Sequence, residues 1–197
     1  MQFRRQFENP TGLLGRLAGF LMAHMNKNIN VWTLSFLDPE PHYKVLEIGY
    51  GPGIGIRLAN KRFPQGLVAG LDISELMKEA ASRRNHEAIA AGRVELKVGG
   101  VENIPFQPHT FDGAYTVNSI QIWPDPVAGL INIKTVVKQG AKVVATVQPR
   151  WAKSDNEVKC VGDKIVNQFQ SAGYQDVEMH FKKASPMSIV CVTGISQ

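Results

Sequence analysis

The sequence predicts an α/β protein built on a mostly parallel β-sheet with helices on both of its faces. Strand-like apolar segments alternate with helix-like segments from Lys44 to Val147, which is the pattern of a parallel sheet. The first apolar segment runs straight into a turn with glycine at positions 49, 51 and 53. Two strand-like segments near the C-terminus are so close in sequence that they must pair antiparallel, since a parallel pair needs a long crossover.

The elements follow from short apolar runs bounded by turn residues and from apolar residues at helical spacing. Two helical segments are predicted ahead of the sheet, an amphipathic one at Leu13–Lys27 and a shorter one at Ile29–Leu37. The predicted strands are Lys44–Ile48, Leu67–Leu71, Val94–Val98, Phe111–Val117, Ala141–Val147, Tyr174–Phe181 and Ser188–Val192. The predicted helices between them are Ile54–Arg62, Glu75–Ala91, Pro126–Val137 and Glu157–Ala172.

Length and composition indicate one domain without membrane spans. A chain of 197 residues suits a single core, and we expect a helical cap over residues 1–40 on a ligand-binding core over residues 41–197. No apolar run reaches the roughly 20 residues that a membrane span requires. Cys160 and Cys191 lack metal-ligand spacing, so we expect no metal site, and buried thiols fit a reducing compartment, with cytoplasm as the default.

The charge pattern does not indicate a nucleic-acid-binding protein. The net charge is +5, and the basic residues are spread along the chain, at Arg4–Arg5, Arg57–Arg62, Arg83–Arg84 and Lys182–Lys183. No basic stripe alternates with aromatic residues. We therefore interpret these charges as solvated surface and expect a small-molecule substrate, with no nucleic acid as partner.

The glycine turn after the first strand predicts a ligand site. Glycine allows positive φ and lets a ligand approach the backbone with no Cβ in the way. Roughly 20 residues further on, Asp72 follows the apolar run Leu67–Leu71, where a carboxylate can accept hydrogen bonds from two ribose hydroxyls. A strand, a glycine turn, a helix and such an acid together predict a nucleotide-like ligand.

Two cofactor classes share this layout, and the turn itself separates them. A dinucleotide-binding turn needs a third glycine where the helix packs on the strand, but those positions hold Ile54, Ile56 or Leu58. The stretch Glu47–Gly53 instead resembles the glycine motif of class I S-adenosylmethionine-dependent methyltransferases. A dehydrogenase is therefore a distant alternative.

Two further blocks carry the resemblance. The stretch Gly99–Phe106, followed by Phe111 and Asp112, resembles the adenine loop and the fourth strand of that family. The stretch Asn9–Arg16, with Asn30 and Trp32, resembles a group of small bacterial methyltransferases of the broad type-11 class. The resemblance implies a Rossmann-like, seven-stranded sheet with a C-terminal antiparallel hairpin, S-adenosylmethionine as cofactor and S-adenosylhomocysteine as product.

The resemblance also implies roles for individual residues. Gly49, Gly51 and Gly53 would face the methionine part of the cofactor, and Glu47 would hold the turn and meet the ammonium group. Asp72 would bind the ribose, and Ile73 would pack on the adenine. Many family members carry an acid where this chain has Gly100, so the Val101 N–H, with Glu102 as a substitute acid, would hold the adenine. The expected cofactor-binding set is Glu47, Gly49, Tyr50, Gly51, Gly53, Asp72, Ile73, Gly100, Val101, Glu102, Asn118 and Ser119.

The acceptor side is less defined by sequence. Ligands in this fold bind outside the carboxyl ends of the strands, which places Asn118 and Ser119 beside the transferring methyl group. The chain lacks the Asn-Pro-Pro-Tyr and Asp-Pro-Pro-Tyr signatures of methylases that act on base or amide nitrogens. Candidate acceptor contacts are Trp123, Trp151 and Phe20, the weak candidate for a catalytic base is His24, and Leu13–Lys27 would form a lid.

We therefore predict a methyltransferase for a small, fairly apolar acceptor, with two alternatives. Gly100 and the missing base also fit a non-catalytic module that binds the cofactor. The amphipathic segment Leu13–Lys27 also fits a peripheral membrane enzyme that acts on lipid head groups, although membrane contact is not the favoured interpretation. The sequence does not determine the acceptor atom or the oligomeric state.

Overall fold

A computed structural model describes residues 27–38 and 40–197 of the chain. The predicted helix Leu13–Lys27 lies outside the described residues except for Lys27, which begins the first helix described, α1. The helices are α1 Lys27–Leu34, α2 Ile54–Arg62, α3 Glu75–Arg84, α4 His86–Ala90, α5 Pro126–Val136 and α6 Asp155–Ser171, with a 3₁₀ turn at Ile120–Ile122. The strands are β1 Val45–Ile48, β2 Val68–Asp72, β3 Val94–Val98, β4 Phe111–Val117, β5 Val137–Val147, β6 Gln175–Lys182 and β7 Ile189–Ile195.

The strands form one seven-stranded sheet in the order β3-β2-β1-β4-β5-β7-β6. Neighbours from β3 to β5 pair parallel, whereas β7 pairs antiparallel with both β5 and β6. The predicted mostly parallel sheet with its antiparallel closing hairpin is confirmed. The chain reverses its direction of travel across the sheet between β1 and β4, and a ligand crevice is expected at such a switch point.

Each face of the sheet buries its own apolar core. One core combines strand residues such as Leu46 and Leu71 with Leu130 of α5 and Ile165 of α6. The other combines alternate strand residues with residues of α1, α2, α3 and α4. Successive residues of a strand point to opposite faces, so the strands are apolar throughout because both faces are covered.

Two elements differ most from the sequence-based expectation, while α1 and β7 differ from it by up to three residues at their ends. The predicted helix Glu75–Ala91 breaks at Asn85, whose side-chain amide donates to the Ala81 carbonyl at 2.9 Å and to the Gly53 carbonyl at 3.1 Å. Asn85 thus ends α3 and ties it to the glycine turn. Strand β5 begins at Val137 rather than Ala141, because the polar stretch after Val137 continues as an irregular strand through Gly140, whose φ is +79°.

Candidate active site

A cavity of about 260 Å³ lies at the carboxyl ends of β1, β2 and β4. This volume is near the lower end of the range for small-molecule pockets. Among the residues expected to bind the cofactor, all but Gly53 line the cavity. The remaining lining residues are Asn30, Ile48, Pro52, Ile54, Leu71, Met77, Gly99, Val117, Ile122, Trp123 and Pro124.

The three glycines of the turn have positive φ, and each does something different. A Cβ on Gly51, whose φ is +50°, would meet no atom within 4 Å, so a side chain there would enter the cavity. A Cβ on Gly49 would lie 2.2 Å from the Ser119 hydroxyl oxygen. A Cβ on Gly53 would lie 2.7 Å from the Ala81 Cβ. Gly49 and Gly53 therefore permit close packing, and Gly51 alone of the three leaves space for a ligand.

Glu47 is a buried carboxylate at the end of β1, with 2% of its surface exposed. The Tyr115 hydroxyl donates to its Oε2 at 2.9 Å. A Cβ on Gly55, in the first turn of α2, would lie 2.2 Å from the Glu47 Oε1, so glycine is needed there for the carboxylate to fit. The pKa of Glu47 is raised to about 8, chiefly by burial and to a smaller extent by the charge of Asp72, while the hydrogen bonds from Tyr115 and from the Ile56 backbone act in the opposite direction.

Asp72 ends β2 and supports the glycine turn from the other side. Its Oδ2 accepts the Gly51 N–H at 2.7 Å, and its Oδ1 accepts the Ser74 N–H at 3.0 Å. The Ser74 hydroxyl, rather than Asp72, caps α3 by accepting the Met77 N–H at 3.3 Å. A carboxylate offers about four lone-pair sites, so Asp72 can still accept hydrogen bonds from a ligand. Burial raises the pKa of Asp72, while the two backbone hydrogen bonds lower it.

Two neighbouring side chains give the cavity an apolar wall. Tyr50 is buried and donates its hydroxyl to the Lys97 carbonyl at 3.1 Å. Burial raises the pKa of Tyr50, so the phenol remains protonated at neutral pH. Ile73 lines the cavity with 57% of its surface exposed, which leaves an apolar face open to a flat ring.

The loop between β3 and β4 brings Glu102 against Gly100. A Cβ on Gly100 would lie 1.9 Å from the Glu102 Oε2, so the carboxylate occupies the space that a side chain at position 100 would take. The Asn132 amide donates to the Val101 and Glu102 carbonyls at 3.1 and 3.0 Å, which ties the loop to α5. Asn132 is not predictable from the sequence, because a lone asparagine in a helix carries no signal for such a contact.

Past β4, Asn118 and Ser119 form the opposite wall. Asn118 has a φ of +53°, and its side-chain oxygen accepts the Gln148 N–H at 2.8 Å. The Ser119 hydroxyl accepts the Trp123 indole N–H at 2.9 Å and thereby orients that ring along the cavity. Ser119 thus packs on Gly49 and positions Trp123 at the same time.

One further expected acceptor residue, Trp151, does not reach this cavity. Trp151 is 54% exposed. Phe20 and His24 lie outside the described residues. Asn30 of α1 does line it and is buried, and Thr33 fixes this helix to the sheet by donating to the Thr146 hydroxyl at 2.8 Å.

The described residues contain neither a candidate metal site nor a candidate membrane-spanning helix. Within residues 27–38 and 40–197, no group of three or more His, Cys, Asp and Glu side chains could hold a metal ion. In the same part of the chain, no helix has both the length and the apolar character to cross a membrane.

Comparison with known proteins identifies the family. A family model described as a methyltransferase domain, Methyltransf_11, matches residues 46–145. The "Uncharacterized methyltransferase YdaC" of Bacillus subtilis is 33% identical over 179 residues, which cover 90% of this chain and 97% of that relative. The demethylmenaquinone methyltransferase of Bacillus cytotoxicus is 36% identical over 120 residues, which cover 59% of this chain but only half of that relative.

A solved structure agrees on the fold. Phosphoethanolamine N-methyltransferase 2 of Haemonchus contortus, in complex with S-adenosyl-L-methionine, superposes with a TM-score of 0.69 at 20% identity, covering 86% of this chain and 52% of that one. Because the family model spans more than half of the chain, and a relative matches it nearly end to end, this chain belongs to the methyltransferase domain family, as a class I, S-adenosylmethionine-dependent enzyme of the type-11 group.

Proposed function

We propose that this protein transfers a methyl group from S-adenosylmethionine to a small, fairly apolar acceptor at the cavity beyond β1, β2 and β4. The observation that carries the proposal is the convergence of the Gly51 turn with two buried carboxylates, Glu47 and Asp72, on one cavity. S-adenosylhomocysteine, the product, would bind to the same residues.

The cavity residues fit such a cofactor. S-adenosylmethionine has two positive groups, an ammonium and a sulfonium, and one negative group, its own carboxylate. The described residues that line the cavity include acidic side chains and no Lys or Arg, which suits a ligand with net positive charge. The space beside Gly51, which a Cβ would fill, is free for part of the cofactor. We infer that Glu47 pairs with the ammonium group, directly or through water, and that Asp72 accepts from the ribose hydroxyls. Ile73 would cover one adenine face, and the Val101 N–H and Glu102 would bind its edge.

Placement accounts for most of the chemistry that we propose. S-adenosylmethionine, when bound, supplies an electrophilic methyl group to a nucleophile held in line with it. Asn118 and Ser119 lie at the carboxyl end of β4, and Trp123 is held by Ser119. These residues would hold an acceptor in register, and correct placement of two reactants can lower a barrier by several kcal/mol, up to about 7–11 in ideal cases.

The rim of the cavity favours an apolar acceptor. Ile73 and Ile122 are 57% and 43% exposed, and Trp123 and Pro124 line the cavity beside Ile122. The relative from Bacillus cytotoxicus is named for demethylmenaquinone, a quinone with an apolar side chain. We therefore propose a small aromatic or quinol ring as the first acceptor class to test. No histidine or lysine lines the described part of the cavity, so a weakly acidic acceptor would need a base such as His24.

We also propose a cap and a core, with residues 1–40 covering the site and residues 41–197 binding the cofactor. Asn30 of α1 lines the cavity, which supports this arrangement for one residue of the cap. Both cysteines are free thiols; Cys191 is buried as expected, but Cys160 is exposed, because it lies on the outer side of α6. Free thiols support the proposal of a reducing, cytoplasmic location.

Methyl transfer can be tested with a radiolabelled methyl donor and a metabolite extract, followed by short-chain quinols as defined acceptors. We expect labelled product with the full chain and none with Gly51→Val. Gly140→Val is the matched control, because Gly140 also has a positive φ with no atom within 4 Å of an added Cβ, yet does not line the cavity. Tight S-adenosylhomocysteine binding with no labelled product from either source would favour the non-catalytic module.

A further inference from the structure

A second and larger cavity, the basic groove, opens on the outer side of the helices that follow β1 and β2. Its volume is about 990 Å³, and its sides come from α2, α3 and α4. The basic residues that define the groove are Arg57, Lys61, Arg83, Arg84 and Arg93. Only Pro52 and Met77 also line the proposed cofactor cavity, so the groove is a separate site.

The groove gathers positive charge that lies scattered in the sequence. Its lining contains four arginines and one lysine against a single carboxylate, Glu87. Arg83 lies 3.7 Å from Glu79, and His86 lies 4.0 Å from Glu87. Within the described residues no carboxylate comes within 4 Å of Arg57, Lys61, Arg84 or Arg93. The packing of α2 against α3 brings together two basic segments, Arg57–Arg62 and Arg83–Arg84, which are separate in the sequence and there resemble solvated surface.

Two guanidinium groups of the groove repel each other. Arg84 donates a hydrogen bond to the Pro52 carbonyl of the glycine turn, which fixes its position. Partial burial lowers the pKa of Arg84, and the nearby charge of Arg57 lowers it further. Like charges held together without a counter-charge cost free energy, which a bound anion would recover.

The lining indicates the chemistry of the ligand. Guanidinium groups bind phosphate oxygens through paired, charge-assisted hydrogen bonds, and arginine outnumbers lysine here. The lining has no Phe, Tyr or Trp on which nucleic-acid bases could stack. Residues 1–26 carry Arg4, Arg5 and Arg16 against a single acid, Glu8, so this part of the chain is not the complementary anion.

We propose that the basic groove binds a small ligand with two or more linked phosphate groups, through Arg57, Lys61, Arg84 and Arg93. A chain of phosphates presents several oxygens along a concave surface and can contact more than one guanidinium at once. A single phosphate would contact fewer of them and bind more weakly. The ligand would lie against the outer side of the turn whose inner side borders the cofactor cavity.

Tripolyphosphate is the probe, titrated calorimetrically into the full chain with S-adenosylhomocysteine present at saturation. We expect one-to-one binding that is tighter than for orthophosphate and weakens as salt is added. Arg57→Ala and Arg93→Ala should each weaken it by about three- to tenfold, because these exposed side chains each contribute one charged contact. Lys164→Ala, which removes an exposed lysine outside the groove, should change it less than about twofold.

The same set of variants can overturn the proposal. If Lys164→Ala and Arg57→Ala lose equal affinity for tripolyphosphate, and circular dichroism shows that both are folded, the binding is a non-specific attraction to a basic protein. If neither arginine variant loses affinity for tripolyphosphate, this ligand binds outside the basic groove. A single-stranded RNA oligomer that binds more tightly than tripolyphosphate through the same arginines would replace the small ligand with nucleic acid.

Discussion

Gly51 shows how one missing side chain can define a site. Its neighbours Gly49 and Gly53 also have positive φ, but each is pressed against another element, Ser119 in one case and Ala81 in the other. Gly51 alone faces open space, and its N–H is held by Asp72 at 2.7 Å. The backbone at this position is therefore both fixed and uncovered, which suits the ligand contact that we propose there.

Gly51→Val should abolish cofactor binding. Valine resists positive φ, and its branched side chain would enter the cavity. Gly140→Val carries similar backbone strain at a φ of +79° but lies away from the cavity, so it should lose stability and keep affinity. Calorimetric titration with S-adenosylhomocysteine measures both variants. Normal affinity in a folded Gly51→Val would mean that the ligand does not lie against this turn.

Asp72→Ala should weaken cofactor binding by about 1.5–3 kcal/mol, because two ribose hydroxyls would lose a charged acceptor. The turn also loses the acceptor for the Gly51 N–H, so a control must separate the two effects. Asp72→Asn can keep an oxygen for the Gly51 N–H, but it removes the charge and leaves the Ser74 N–H facing an amide NH2 that cannot accept from it, and we expect an intermediate loss. If affinity is unchanged in folded Asp72→Ala, this carboxylate does not bind the ribose.

Sequence motifs located most of the cavity wall but not the partners behind it. Glu47, Gly51 and Asp72 were predicted because strand ends and glycine turns carry local signals. Gly55 and Asn132 were missed, because they act across the fold, Gly55 by leaving room for Glu47 and Asn132 by tying the loop to α5. Such contacts depend on tertiary packing, which a residue's own sequence neighbours do not encode.

At the scale of elements, the loop between β3 and β4 carries the clearest departure from the family pattern. Glycine at position 100 by itself suggests that an added acid would tighten cofactor binding. Glu102 already places its carboxylate where a side chain at position 100 would lie. The structure therefore favours a loop in which Glu102 supplies the carboxylate that an acid at position 100 would otherwise supply.

This loop gives a test with three variants. Glu102→Gln should weaken S-adenosylhomocysteine binding, by at most about 1.5–3 kcal/mol, since an acceptor for the adenine amino group loses its charge. Gly100→Asp should also weaken it, because the two carboxylates would repel each other. The double variant Gly100→Asp with Glu102→Ala should restore most of the affinity. No change in any of the three would mean that the adenine is held by shape and backbone alone.

The boundaries of elements were predictable where local signals agree and not where tertiary contacts decide. Strands β3 and β4 and helix α2 match their predicted bounds, since each is bounded by turn residues or capping positions. The break at Asn85 was not predicted, because its cause is a hydrogen bond to Gly53, which lies 32 residues earlier in the chain. Tertiary contact here overrides a helix-compatible sequence.

At the scale of the whole molecule, Glu47 couples the site to folding stability. Its pKa is raised from 4.5 to about 8, so the folded protein keeps a proton that the unfolded chain has lost between those pH values. The unfolded state then binds fewer protons, and the free energy of unfolding falls as pH rises from about 4.5 to about 8. An acid buried for binding is thus a cost to the ligand-free fold.

Glu47→Gln should remove this dependence. The free energy of unfolding of the variant minus that of the wild type should be larger at pH 8 than at pH 5 by roughly 2–4 kcal/mol, because glutamine has no charge to bury. Urea unfolding at the two pH values measures the difference. The same variant should bind S-adenosylhomocysteine more weakly, since its ammonium loses a charged partner. If stability depends on pH in the same way in wild type and variant, Glu47 is not a buried, protonated carboxyl group in the folded protein.

We expect this chain to bind S-adenosylmethionine and its product at the turn made by Gly51 and not to bind NAD. Calorimetric titration of the full chain with S-adenosylhomocysteine, and separately with NAD, measures both affinities. The expected result is saturable one-to-one binding of S-adenosylhomocysteine and no measurable heat from NAD. If NAD binds more tightly than S-adenosylhomocysteine, the Gly51 turn is a dinucleotide site and the proposed function is wrong.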